Sequence, residues 1–392
     1  MSLLSGLLDP PIRTPAACLI EIGQDRTNPG ALNALVKTVD IITSRKEAAA
    51  ATILFEDRRT EDGSFMVADS GLFERWQPIR LTADFETYRE EILRGYVTGL
   101  KPNFPASGGE VTFEVQILDE SALLDREHQR VIWGRDEDIT DNTIAATLLG
   151  DSPISLDVTS DEGAKGTAIA QDGTALKFLR NRAEAVGYEM IFTPGTLYFG
   201  PKRLEGQAQP AIKVYAGRDT NCLSFNIEDD GLKPDAVIYE AAPATDTTAA
   251  DTETLTPALT ALGGSPAANE GSALSQPFVQ RLKSEGDEGA EIARVRAQAM
   301  VDNASFKLKA NGELDGALYG HVLRPGLLVE VDGTGQRYGG LYYTDKVTHQ
   351  FSETGYRQQF ELMRNATGES GGPLDAASGP LKRGLSALSS LI

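Results

Sequence analysis

The feature that most constrains this fold is an amphipathic hairpin that occurs twice. Gly340 to Arg364 reads GLYYTDKVTHQFSETGYRQQFELMR. Successive side chains in a strand point to opposite faces. Tyr342, Lys346, Thr348 and Gln350 are therefore expected on one face, and Tyr343, Asp345, Val347, His349 and Phe351 on the other. After the turn residues Ser352–Gly355 a return strand alternates Tyr356, Gln358, Phe360 and Leu362 against Arg357, Gln359, Glu361 and Met363. The earlier copy is Gly95 to Gln116, GYVTGLKPNFPASGGEVTFEVQ. A gap-free match pairs Tyr96 with Tyr343, Leu100 with Val347 and Phe104 with Phe351. On the return it pairs Phe113 with Phe360, Glu114 with Glu361 and Val115 with Leu362. Any two hairpins share alternation, but a shared Tyr-x3-aliphatic-x3-Phe template points to a duplicated β module.

A chain of 392 residues has room for several packed cores. Its 39 glycines suit turn-rich β structure. A formal charge of −20 argues against nucleic-acid binding as the main role, because neutralising phosphates takes clustered Lys and Arg. No apolar run is long enough for a bilayer-crossing helix. The start, MSLLSGLLDPPIRTP, lacks a basic leader and breaks at Pro10-Pro11, so residues 1–11 read as a packing arm. Cys18 and Cys222 offer neither metal spacing nor a disulfide framework and read as buried free thiols.

In chain order, residues 12–118 read as a first antiparallel β unit, with strands expected near Ala17–Ile22, Leu35–Thr43, Ala51–Glu56 and Gln77–Thr82. Residues 119–204 read as an α+β insertion. Its clearest helix is Ala175–Val186, with Thr174 or Asp172 as cap and Gly187 as the left-handed stop. Leu176, Leu179, Ala183 and Val186 share one face of that helix, and a small hairpin, Tyr188–Phe192 and Thr196–Phe199, follows. Residues 205–240 and 305–366 read as a second β unit, with strands near Ser305–Leu308 and Leu327–Val331. Between them, Ala241–Ser275 has no Lys, Arg or aromatic residue and reads as a mobile excursion, followed by a helix over Glu285–Asn303. The tail, 367–392, is Gly/Ser/Pro-rich and ends LKRGLSALSSLI.

Catalytic signals are weak. His128, His321 and His349 lie far apart, with no HExxH pattern and no nucleophile elbow. Acidic pairs such as Glu90-Glu91, Asp136/Asp138 and Asp229-Asp230 are expected by chance among 57 carboxylates. The glycine-rich spots sit in turns between strands and not before helices, so they do not form a phosphate cradle.

Two stretches resemble the phage late control gene D protein family, which comprises baseplate hub proteins and the hub portion of VgrG spikes. The first, GHVLRPGLLVEVDGTGQRYGGLYYTDKVTHQFSETGYRQQFELMRNA, carries the Pro325-Gly326 turn and the Gly339-Gly340 lead-in. It also carries the Tyr343…Val347…His349…Phe351 strand and the Tyr356…Phe360…Leu362 return. The second, residues 171–201, is similar to the family's helix-plus-hairpin, in which Phe178-Leu179 leads through Gly187-Tyr188 to a strand ending Leu-x-Phe-Gly. The resemblance implies a mostly β, α+β fold. Two related antiparallel β-barrel tube modules would carry an α+β insertion.

It also implies a homotrimer whose six modules make a pseudo-sixfold ring. Such an adaptor would join a sixfold tail tube to a threefold spike and touch baseplate wedge proteins, with DNA or effector only in transit. The site is then the virion baseplate or an injection particle assembled in the bacterial cytoplasm. No catalytic residue, cofactor or metal is expected. Because the spike domains of a full VgrG are missing, a separate spike protein is implied. Three copies carry 60 formal negative charges (3 × 20), and those facing a channel would repel passing DNA. The alternatives are a tail-associated peptidoglycan hydrolase using a carboxylate pair and a carbohydrate-binding β protein. Against the latter stands the scarcity of Trp, Trp76 and Trp133 alone.

Overall fold

The computed structural model describes residues 16–106, 109–240, 252–269, 276–283 and 290–368. The N-terminal arm and the leucines of the C-terminal tail lie outside the described residues. No helix among the described residues is long and apolar enough to cross a membrane.

Twelve strands form one large curled sheet, almost wholly antiparallel. The first six are β1 (Ala17–Ile22), β2 (Val36–Ser44), β3 (Ala50–Glu56), β4 (Pro78–Asp84), β5 (Arg89–Asn103) and β6 (Thr112–Asp119). The second six are β7 (Gln209–Lys213), β8 (Cys222–Asp229), β9 (Leu308–Asp315), β10 (Leu328–Asp332), β11 (Gly340–Ser352) and β12 (Gly355–Arg364). Alternation forms them: in β3, Ala51, Ile53 and Phe55 are buried while Thr52, Leu54 and Glu56 are half-buried on the other face. Burying such side chains contributes about 1.5–3 kcal/mol each.

Both sets follow one plan. The first stands in the order β1-β4-β5-β6-β3-β2 and the second in the order β7-β10-β11-β12-β9-β8. Two irregularities fall at the same places: Lys37 bulges from β2 as Leu223 does from β8, and Thr98 from β5 as Asp345 does from β11; the shift at Ile92 in β4–β5 has no counterpart in β10–β11, nor that in β7–β10 one in β1–β4. One difference is that β1 runs antiparallel to β4 while β7 runs parallel to β10. A shared order with shared bulges is the structural mark of duplication, since bulges are retained features of a strand and not accidents. The two sets join where β2 pairs with β11 from Thr38↔Ser352 to Ser44↔Lys346.

The bulges correct two readings from sequence. An extra residue at Asp345 flips the alternation, so Tyr342 shares the second module's core with Val347, Phe360 and Leu362. Tyr343 instead turns to the other side, among Leu328, Met363 and Phe306. The gap-free match also fails on the return strand. Gly99 pairs with Gln116 and Lys346 with Glu361, so Phe113 corresponds to Gln358, Val115 to Phe360 and Ile117 to Leu362. The loop after β5 is longer than that after β11, and Phe104 is 54 % exposed where Phe351 is buried.

The insertion has its own core of Leu124, Ile144, Leu149, Phe178, Leu179, Leu197 and Phe199. Helix α1 (Asp141–Leu149) is capped by Thr140, whose Oγ1 accepts from Thr143 N at 3.3 Å. Helix α2 (Ala175–Val186) starts at Thr174 and stops at Gly187 (φ 71°), as its sequence dictates. A 3-10 turn, Glu120–Asp125, leads into the insertion, and strand His128–Trp133 pairs with Ile169–Thr174.

In the stretch expected to be an excursion, Thr252–Leu255 pairs with Ala236–Glu240, which also pairs with Val279–Lys283. Val237, Tyr239 and Leu255 then bury against Ala293, Ala297 and Val301 of α3 (Ala290–Ala304). Low apolar content was offset by partners elsewhere in the chain; residues 241–251 and 270–275 lie outside the described residues. The strand expected at Ser305–Leu308 begins at Leu308, because α3 runs on to Ala304 and Ser305 N bonds Val301 O.

Candidate assembly site at the seam between modules

The seam is built from β2 and β11. Val39, Ile41 and Thr43 point to the core face, opposite Phe351, His349 and Val347. On the other face Gln350 Nε2 donates to Asp40 Oδ1 at 2.8 Å. Arg45 N donates to Asp345 O at 3.2 Å at the end of the seam. The hydrogen-bonded pairs, two residues apart, are thus Thr43/Val347, Ile41/His349 and Val39/Phe351.

His349 is fully buried. Its Nδ1 lies 2.8 Å from Tyr356 Oη, and its Nε2 lies 3.5 Å from Thr43 Oγ1. Burial, reinforced by the nearby Arg324 charge, pushes its pKa down to about 3, so the ring is neutral. Phe351 stacks on Tyr356 with centroids 4.1 Å apart, and Tyr356 reaches Phe85 of the first module. Tyr356 therefore belongs to the first module's core although it starts a strand of the second.

A charged junction lies below the seam. Glu189, 4 % exposed, accepts from Arg45 Nη1 at 2.7 Å and from Tyr343 Oη at 2.5 Å, with Lys202 Nζ at 3.9 Å. Arg45 also ion-pairs with Asp345. One carboxylate of the insertion thus holds side chains from both modules. Burial lowers the Lys202 pKa and, with Glu189 beside it, raises that of Tyr343 well above the usual phenol range. The Pro325-Gly326 turn completes the latch: Gly326 N donates to Thr344 O at 2.9 Å, and its carbonyl accepts from Arg203 Nε at 3.2 Å. Gly326 has φ 72°, and a Cβ there would stand 2.2 Å from Ile191 Cδ1.

The other family-motif positions do not converge on this place. Phe178 and Leu179 are in the insertion core, while Gly187 ends α2 and Tyr188 Oη donates to Asp161 Oδ1 at 2.5 Å. Gly340 (φ 117°) makes room for the buried Arg364 guanidinium, which donates to the carbonyls of Gly339, Leu262 and Gly368. Phe360 fills the second module's core above Gly312, where a Cβ would stand 2.6 Å from its ring. Sequence reading missed Arg45, Glu189 and Arg364. Each looks like an ordinary surface charge until the fold buries it.

Four carboxylates of the acidic pairs have basic partners elsewhere. Glu90 faces His321 and Arg324, Glu91 faces Arg80 and Arg94, Asp138 faces Lys165, and Asp229 faces Arg337. Among the described residues no three His, Cys, Asp or Glu stand together as metal ligands. Cys18 and Cys222 are free, and burial raises the thiol of Cys18 to about 12 and that of Cys222 to about 11. Beyond the bulges, the face of the sheet away from the two cores carries charges of both signs, with Lys101 on Glu114 (3.2 Å) and Lys346 near Glu361 (3.8 Å).

Two six-stranded modules of one plan, fused edge to edge with an α+β insertion latched beneath, define a fold found in solved tail proteins. The 43 kDa tail protein of prophage MuSo2 from Shewanella oneidensis matches with a TM-score of 0.66 at 15 % identity, over 90 % of this chain and 99 % of that one. The tail protein from Neisseria meningitidis MC58 matches with a TM-score of 0.61 at 12 % identity, over 90 % and 97 %. The E. coli c3393 protein matches at 0.51 and 14 %, over 84 % and 73 %; it is described as a type VI secretion component similar in structure to T4 tail proteins gp27 and gp5. At these identities the likeness is one of fold. In sequence, residues 29–353 match the family model described as the Alg8 N-terminal domain, and the chain belongs to that family. No curated protein matches it.

Proposed function

We propose that this chain is the non-catalytic baseplate hub of a contractile phage tail or of a tail-like injection particle. Three copies form a ring that joins a sixfold tail tube to a threefold spike. The observation that carries the reading is the duplication: two modules with one strand order and matching bulges share a continuous sheet. An adaptor between sixfold and threefold partners needs two equivalent parts per chain and three chains per ring. The fold shared with tail proteins from Shewanella and Neisseria supports the same reading. In this reading the charged face of the sheet lines the channel, where paired Lys and Glu leave little for DNA or effector to adhere to. The insertion and α3 lie outside, available to wedge proteins.

Mixing the purified chain with the tube and spike proteins of its own particle tests this. A stable ternary complex with tube on one face of the ring and spike on the other is expected. Failure to bind either protein overturns the reading.

A further inference from the structure

A cleft of about 900 Å3 opens between α2, α3 and the strands β8, β9 and β12. That volume lies at the upper end of the range of ligand pockets. Seven basic side chains line it against five acidic ones, in a chain whose formal charge is −20. Three of the chain's five methionines, Met190, Met300 and Met363, also stand in it, beside Phe306.

Most of the acidic groups there already have partners. Glu189 and Asp345 face Arg45, and Glu361 lies 3.8 Å from Lys346. Glu184 and Glu228 are exposed. The cations are less well matched. Arg180 Nε, on α2, is closed off from solvent and has no hydrogen-bond acceptor among the described residues. A shielded donor in that condition is costly to the fold. Lys233 Nζ donates to the carbonyl of Phe306, which carries no charge. Burial lowers the Lys233 pKa, and the charge of Lys309 lowers it further. Burial lowers that of Lys202 as well, with Arg45 and Lys46 pushing the same way against Glu189. Cations held together in a partly dry space repel one another, and an anion entering among them relieves both costs.

We propose that this cleft binds an acidic segment of a partner protein, with its carboxylates on Arg180, Lys233 and Lys309 and its apolar side chains on the three methionines. The inference goes beyond the hub reading and does not depend on the ring. A carboxylate oxygen gives Arg180 Nε the acceptor it lacks, and the planar guanidinium suits such a group. Methionine is unbranched and polarizable, so a floor of three adapts to apolar side chains of varied shape. A nucleic acid is a poorer fit. It presents a uniform line of phosphates, whereas Glu184 and Glu228 stand among the cations here. A peptide can place its charges to avoid them.

The test is selection of short random peptides against the full chain, followed by titration of the selected peptides. They should be rich in Asp and Glu with Leu, Ile or Phe between, and added salt should weaken their binding. With methyl-labelled methionine, a bound peptide should move the signals of Met190, Met300 and Met363 and leave that of Met66, which does not line the cleft, in place. R180E/K309E should weaken binding at least tenfold. K309E alone, at an exposed position, should weaken it several-fold. K101E, a charge reversal on the first module, should leave it within twofold. Unmoved methionine signals in peptide-free R180E/K309E show that the variant is folded. Selection that yields no binder, or only neutral or basic ones, overturns the proposal. So does binding that ignores K309E and R180E/K309E, or a single-stranded oligonucleotide that moves the same three methionines as tightly. Each of these results leaves the hub reading standing, because that reading is tested by the tube and spike proteins.

Discussion

Gln350 donates to Asp40 at 2.8 Å across 310 positions of sequence, and that bond spans the seam where two copies of one module become one sheet. The pair lies directly opposite in the non-hydrogen-bonded register, where side chains are closest. Replacing Gln350 with Glu sets like charges against Asp40. The variant should lose about 0.5–1 kcal/mol of stability, measured by urea unfolding, and Q350E/D40N should recover most of it.

His349 makes stability depend on pH. Its folded pKa, about 3, lies below the ordinary value of 6.5, so the native state binds fewer protons than the unfolded chain. The contribution is complete above pH 6.5 and is lost as pH falls from 6.5 towards 3. The slope for this group approaches about 1.4 kcal/mol per pH unit. Unfolding free energies at pH 7, 6 and 5 should fall accordingly, and H349Q should be less stable at pH 7 but flatter with pH. An equally steep fall in H349Q would assign the effect to other groups.

Glu189 ties the insertion to both modules. Removing it leaves Lys202 without its carboxylate and Arg45 with Asp345 alone, and a broken buried pair costs about 3–5 kcal/mol. E189A should therefore lower the unfolding midpoint far more than Y343F, which loses one hydrogen bond worth about 1 kcal/mol. Limited proteolysis should then cut first in residues 119–204.

Gly326 sets how closely the insertion approaches the second module. G326A combines a left-handed φ with a clash on Ile191 and should cost about 1–3 kcal/mol. G355A has a positive φ but open space around it, and should cost about 1 kcal/mol. A G326A loss no larger than that of G355A would show that the approach is not tight.

Much of this was legible in the sequence for physical reasons. Period-two runs such as Ala51–Glu56 state which face is buried, and Thr174 with Gly187 brackets α2, because caps are local chemistry. The bulges at Thr98 and Asp345 were not legible. One extra residue reverses every later side chain, and no residue type marks the place, which is why Tyr342 and Tyr343 exchange sides. The continuous sheet was hidden too, since the β2–β11 pairing depends on partners from 302 (Ser44 to Lys346) to 314 (Thr38 to Ser352) positions apart. At the seam His349 and Tyr356 stood out as motif residues. Arg45 and Glu189 did not, because a buried ion pair looks the same as two surface charges until its surroundings are known.

The central claim is that three copies and six modules make one ring. Light scattering on the purified protein, followed by negative-stain class averages, tests it most directly. The account predicts three times the chain mass of 42.1 kDa and a threefold ring of six similar lobes around an open channel. A compact monomer that stays monomeric when tube and spike proteins are added would contradict it.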